Sequence, residues 1–409
     1  MRNPFQRAAL LVILLLIMVS ATTLTASATS LGKSARAADA ALDRALKRLV
    51  AMPGGPPAAL AIVQRGKSLA VHAFGVSEIG TQRKPQKNDY MRIASIAKAF
   101  SGAAALALVH TGVLALDDTI GDWLPELPSD WHGVTLRQLL NHTSGLPDFS
   151  QSEAFQTALL QSLRVAPPPG ALLAFVGEEP LNFVPGTQYL YSNSDNIAVG
   201  LIIEAATGMR YRDVLKESVA KPLRLDSTLL PEGPELPEPF IHGYDFEDNR
   251  APEDVSEIIA AGWSWASGGI VSTPANLNRF VRGYVRGTLF SRRIRAAQRE
   301  WVPGGGSEPP GPGRNSAGLG LFRYQTRCGT VFGHTGNTSG FTQFAAATSD
   351  GRRSVTVSMS LQRTQTSRGQ ELAVFRALRV AETRAVCAAL ARENPFGRWP
   401  GIDFFSFAK

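Results

Sequence analysis

Cysteine is nearly absent from this chain: its 409 residues contain two, Cys328 and Cys387, and only six histidines. No His-Glu-x-x-His and no cysteine cluster is present, so a metal site is not expected. No Gly-x-Gly-x-x-Gly occurs, so no nucleotide or other organic cofactor is expected either. Beyond Val19 no stretch reads as a membrane span. There is also no clustered Lys/Arg stripe with interleaved aromatics. The formal charge of +8 is scattered, and Arg2 and Arg7 supply part of it. Nucleic acid is therefore not expected as a partner, although weak attraction to anionic cell-wall polymers remains open.

What the chain does have begins at its N-terminus. Arg2 and Arg7 precede an apolar run from Ala8 to Val19, and small residues follow, including Ala26-Ser27-Ala28. Basic, apolar and small residues in that order read as a secretory signal peptide over residues 1–28. The run is about a dozen residues, short of the roughly 20 that span a bilayer, so a secreted product without a membrane anchor is expected. An exported chain meets an oxidising environment, where Cys328 and Cys387 are expected to pair; two separate buried thiols are the alternative.

Periodicity separates the rest into two kinds of structure. Residues 37–52 have helical spacing, with Leu42, Leu46 and Leu49 on one face. Residues 59–64 and 69–74 are short apolar runs around Arg65-Gly66-Lys67 and read as a β-hairpin. A long apolar helix is predicted over 91–112. The region from about 95 to 300 alternates helical patterns with Pro/Gly loops, and a further helix is predicted over 276–285. After about 315 the period changes to short strands at 331–334, 342–348 and 354–360, followed by a helix over 370–392. These patterns predict an α+β sandwich: an antiparallel sheet built from both chain ends (about 37–90 and 315–392), flanked by terminal helices. The helical part is inserted between them. One domain over 37–392 and a tail over 393–409 are expected, as is a monomer.

Three motifs carry chemistry. Ser95 and Lys98 are three residues apart on the apolar helix, so their side chains share a face. A lysine whose pKa is lowered by burial can take a serine proton and make the alkoxide a nucleophile. Ser-x-x-Lys occurs four times (Ser30, Ser95, Ser218 and Ser406), but only Ser95 opens a long apolar helix. There it reads as an N-cap or first-turn residue. Tyr191-Ser192-Asn193 follows a Pro-Gly turn. Tyr191 offers a second proton carrier if nearby cations lower its pKa, and Asn193 offers a donor to a substrate carbonyl. His334-Thr335-Gly336 ends a predicted strand, where Gly336 lets a substrate lie along the edge. Alone, each motif also has an ordinary structural explanation.

In this order the three motifs resemble the penicillin-recognising serine hydrolases, related to enzymes of the Ser-x-x-Lys type. The likeness extends to Leu139 to Pro147, Pro185-Gly186 and Ser267 to Thr273, and within the group it is greatest to secreted D-alanyl-D-alanine carboxypeptidases and class C β-lactamases. The resemblance implies acylation of Ser95, proton transfer by Lys98 and Tyr191, and an oxyanion hole from the backbone N–H groups of Ser95 and Asn337. It also implies substrate binding by Asn193, His334, Thr335 and Gly336, a Cys328–Cys387 disulfide, and cell-wall peptides or β-lactams as substrates. Two departures stand out: Asn337 replaces the usual hydroxyl residue after the third motif, and Arg323 is the best candidate cation for a terminal carboxylate. Esterases, D-amino-acid amidases, β-lactamases and a penicillin-binding sensor that barely turns over are the alternatives.

Overall fold

The computed structural model describes residues 34–246 and 250–391. The expected signal segment, the C-terminal tail and the Ser30 and Ser406 motifs lie outside the described residues.

Seven antiparallel strands form the main sheet, in the spatial order Ser68–Gly75, Ala58–Arg65, Arg353–Met359, Phe341–Ala347, Gly329–Thr338, Leu321–Thr326, Arg314–Gly318. The first hairpin turns at Gly66, whose φ of +58° glycine adopts without the steric penalty of a side chain. Strand Phe341–Ala347 is buried on both faces, and its alternation shows why. Phe344 and Ala346 enter one core with Leu42, Leu46, Leu49, Phe375 and Leu378 of the terminal helices. Phe341, Ala345 and Ala347 enter a second core beneath the helical part. The sheet is thus the middle layer of three.

Two of the seven strands, Arg314–Gly318 and Leu321–Thr326, were not anticipated. Arg-Asn-Ser-Ala-Gly has little intrinsic strand preference, and pairing with the neighbouring strand imposes the conformation. The C-terminal helix, Gly369–Leu390, lies across the sheet. Cys387 on it is bonded to Cys328 in the turn before Gly329–Thr338, so the two cysteines are paired as expected.

The central helix spans Ala97–Thr111 and ends at Gly112, whose φ is +78°. Its Phe100 stacks on Phe280 of helix Pro274–Arg286, with ring centroids 3.6 Å apart. By length and hydropathy the Ala94–Thr111 stretch does meet the requirement for a membrane-crossing helix, contrary to expectation, yet it is 72% buried within the protein. One boundary also moves: Ser95 is not the N-cap. It sits in a 3-10 turn, Ala94–Ile96, ahead of the helix, and Ile96 caps it without a side-chain bond.

Candidate active site

The turn that presents Ser95 is strained. Ala94 adopts φ +49°, a left-handed conformation that costs an L-residue roughly 1–2 kcal/mol. Among the described residues only three other non-glycines have positive φ: His142, Arg224 and Trp265. Three of these four flank the same site, so the strain is concentrated where Ser95 is held.

Lys98 Nζ lies 3.1 Å from Ser95 Oγ and also donates to Asn193 Oδ1 (2.7 Å) and to the carbonyl of Ser267 (2.8 Å). The side chain is buried. Burial lowers its pKa to about 7, against the opposing pull of Asp148, Asp195 and Glu308. A substantial neutral fraction is therefore present near pH 7, as a proton acceptor requires.

Tyr191 packs beside this amine, whose Nζ is 5.1 Å from the ring centroid. Its hydroxyl makes no well-formed hydrogen bond among the described residues. Burial raises the phenol well above its usual pKa, and the nearby Ser95 side chain only partly opposes this. The condition of a pKa lowered by nearby cations is not met: Tyr191 is a neutral phenol, able to relay a proton but not to stand as a phenolate. Its ring lies 4.5 Å from that of His142, and His142 Nδ1 is 2.7 Å from Asp195 Oδ2. Ser144 donates to the other oxygen of Asp195. Burial lowers His142 to about 3 and raises Asp195, with the Ser144 hydrogen bond opposing the shift of the carboxyl.

Asn193 begins helix Asn193–Thr207. Its Nδ2 already donates to Asp148 Oδ2 (2.9 Å) and Ser150 Oγ (3.0 Å), so the amide is held as a bridge between Lys98 and the Asp148 loop. Gly336 is in register opposite Gln343, within its strand rather than at its end. A Cβ added to Gly336 would stand 2.2 Å from the carbonyl oxygen of Ile93 and 3.2 Å from Ser95 N. Only glycine lets this strand approach the turn so closely. Asn337 then joins Ser95 and Asn193 in lining a cavity of about 130 Å³ with an aromatic wall of Phe149, Phe155 and Trp263.

Other expected site residues are placed differently. His334 is buried and its Nδ1 donates to the Thr335 carbonyl, while burial lowers its pKa to about 3. A neutral, enclosed imidazole supplies no positive field. Thr335 Oγ1 donates to the Pro309 carbonyl and is buried, so it is not free for a carboxylate. Arg323 stacks over Trp301 at 5.1 Å and donates to Ser316 Oγ, and it lines neither cavity beside the site. Ser218 lies in a π-helical segment and donates to Val214 O.

Asp148, Asp195 and Glu308 were missed, and Ser267 was named only as the start of a resembling block, without a role at the site. Asp148 directly follows the Asn141 to Pro147 loop and Asp195 lies two residues past Asn193, which was the available signal. The largest cavity described, about 560 Å³, backs onto Phe100 and contains none of these groups.

A sheet between terminal helices and an inserted helical part, with Ser, Lys, Tyr and Asn converging where the layers meet, defines a serine-hydrolase class of the β-lactamase type. The model of the Beta-lactamase family matches residues 42–380, and the chain belongs to that family. Penicillin-binding protein 4* of Bacillus subtilis is 28% identical over 244 residues, 56% of this chain and 52% of that protein. Protein flp of Staphylococcus aureus is 32% identical over 177 residues, 42% of this chain and 34% of that protein. The chain therefore spans about half or less of the length of these curated relatives. Among solved structures, a D-stereospecific amidohydrolase from Streptomyces sp. is 29% identical, with a TM-score of 0.70 over 79% of this chain and 94% of that one. The D-amino acid amidase of Ochrobactrum anthropi shares the fold at 22% identity, with a TM-score of 0.72 over 86% and 98%.

Proposed function

We propose that this protein is an exported serine hydrolase that cleaves D-configured amino-acid amides and related esters through an acyl-enzyme on Ser95. Ser95 Oγ attacks the acyl carbon while its proton passes to neutral Lys98, 3.1 Å away. The C–N or C–O bond of the tetrahedral intermediate breaks, and the leaving group takes a proton relayed through Tyr191. Water then hydrolyses the Ser95 ester and the proton returns along the same route. The backbone N–H groups of Ser95 and Asn337 receive the oxyanion, since the close approach of Gly336 brings that strand against the Ser95 turn.

One observation favours amides and esters over the D-alanyl-D-alanine carboxypeptidase reaction that the sequence suggests. A free C-terminal carboxylate needs a cation, and no Lys or Arg lines either cavity beside Ser95 and Tyr191. Lys98 is already satisfied by three acceptors. Nearby Arg92 donates to the carbonyls of Ser256 and Pro234. Similarity to the Streptomyces amidohydrolase supports the same reading, and the N-terminal apolar run with the disulfide supports export.

Comparing turnover of D-phenylalanine amide, its L-enantiomer and a peptide ending in D-Ala-D-Ala tests this. The D-amide is expected to be cleaved fastest. Faster release of D-alanine from the carboxylate-ended peptide would restore the carboxypeptidase.

A further inference from the structure

The basic charge expected to be scattered is instead concentrated at one end of the sheet. Between Asn276 and Arg299 there are seven arginines and no Asp or Glu, against a net charge of +8 for the whole chain, so almost the entire excess sits here. Helix Pro274–Arg286 places Arg279, Arg282 and Arg286 at i, i+3 and i+7, so they form one stripe. Helix Arg292–Gln298 and its cap repeat that spacing with Arg292, Arg295 and Arg299. The two stripes converge on the turn after strand Phe341–Ala347: Arg282 donates to Gly351 O (2.9 Å), Arg299 to Ser349 O (3.3 Å) and Arg295 to Arg286 O (2.7 Å). Each of these bonds goes to a backbone carbonyl, and none of the seven arginines forms an ion pair among the described residues. Asp350, the carboxylate at this turn, accepts from Thr348 Oγ1 and the Arg352 N–H. Burial and then the charges of Arg286 and Arg279 lower the pKa of Arg282, and burial with Arg295 lowers that of Arg299, so like charges press on one another.

The chain enters and leaves the described fold at the same end. Arg353, directly after that turn, donates to Ala389 O and Ala391 O at the end of the C-terminal helix. Helix 34–50 begins there too, since Arg65 bonds Asp39 and the Gly66 N–H donates to Arg352 O. Residues 392–409 continue from Ala391 and contain Phe396, Trp399, Phe404, Phe405 and Phe407, five aromatics in 18 residues of a chain that is 8% aromatic. Aromatic rings favour the headgroup layer of a bilayer, and a soluble polyanion offers them no such layer.

We infer that this end of the molecule docks on an anionic lipid bilayer, the two arginine stripes meeting lipid phosphates while residues 392–409 add their aromatics at the headgroup level. Arginine suits the phosphates because its planar fork can donate two parallel bonds to their oxygens. Ser95 stays open in this pose. Gly336, against the Ser95 turn, pairs with Gln343, six residues before Ser349 and so roughly 20 Å away along the strand direction.

Co-sedimentation of the exported form, residues 29–409, with vesicles tests this, using phosphatidylcholine alone or in equal parts with phosphatidylglycerol. Partition into the anionic vesicles is expected to exceed that into neutral ones by roughly a hundredfold or more, and to fall with added salt. Arg286→Gln, Arg292→Gln and Arg293→Gln together are expected to weaken it by on the order of a hundredfold. Lys84→Gln, Arg164→Gln and Arg210→Gln remove the same charge from other parts of the surface and should weaken it by about threefold or less. All six side chains are exposed, and thermal unfolding checks that both triple variants keep the fold. Removing residues 392–409 should weaken binding to anionic vesicles by roughly tenfold or more, with binding of sodium polyphosphate unchanged. Equal partition into neutral and anionic vesicles, or equal losses in the two triple variants, would overturn the docking surface. Polyphosphate bound as tightly as anionic vesicles, with no effect of removing the tail, would overturn it too and assign the arginines to a soluble phosphate polymer.

Discussion

Lys98 sets the pH at which Ser95 can react. A buried amine with a pKa of about 7 is mostly protonated below that value and accepts no proton, so kcat/KM should rise about tenfold per pH unit up to about 7 and then level. A pH–rate profile flat from 5 to 8 would count against Lys98 as the base. Lys98→Arg keeps the charge but cannot deprotonate at any working pH, and a loss of roughly 10²–10⁴-fold in kcat is expected, with folding checked by circular dichroism. Gly336→Ala introduces a methyl 2.2 Å from the Ile93 carbonyl, which must displace the strand from the Ser95 turn. A drop in kcat/KM of about tenfold or more is expected, because a misplacement of this kind distorts the attack geometry. At this scale the sequence revealed which residues meet, since Ser-x-x-Lys, Tyr-x-Asn and His-Thr-Gly leave few alternatives in combination. It did not reveal what they do once packed. Burial neutralises His334, the Pro309 carbonyl occupies Thr335, and Trp301 captures Arg323, none of which spacing alone could show.

Among the elements, the terminal helices, the first hairpin and the three strands at 331–334, 342–348 and 354–360 were legible from their apolar runs and periods. Leu42, Leu46 and Leu49 recur at helical spacing, and Phe344 and Ala346 alternate with Ala345 and Ala347. Strands Arg314–Gly318 and Leu321–Thr326 carry no such pattern, and their pairing decides them. The turn at Ala94 was hidden for a related reason: an alanine at φ +49° is held by its surroundings, not by its own preference. Two stability measurements follow. Phe344→Ala empties a fully buried ring position between sheet and terminal helices and should lower unfolding free energy by about 3–5 kcal/mol in urea titration. The Cys328–Cys387 bond closes a loop with a sequence separation of 59, for which chain entropy gives roughly 4 kcal/mol. Cys387→Ser should lower Tm accordingly; an unchanged Tm would mean the unfolded chain is restrained by other means.

For the molecule as a whole, the layer order follows from a sheet whose two faces are both apolar, each needing its own cover. Terminal helices supply one cover and the inserted helical part the other. The Ser95 turn lies at the seam between that helical part and strand Gly329–Thr338, so segments 95 and more residues apart meet around one hydroxyl. That convergence is the central claim, and acid-quenched peptide mass mapping during turnover of D-phenylalanine p-nitrophenyl ester tests it most directly. A D-phenylalanyl group on the peptide containing Ser95, absent in Ser95→Ala, is the expected result. Full turnover by Ser95→Ala, or the same group on the peptide containing Ser218, would contradict it.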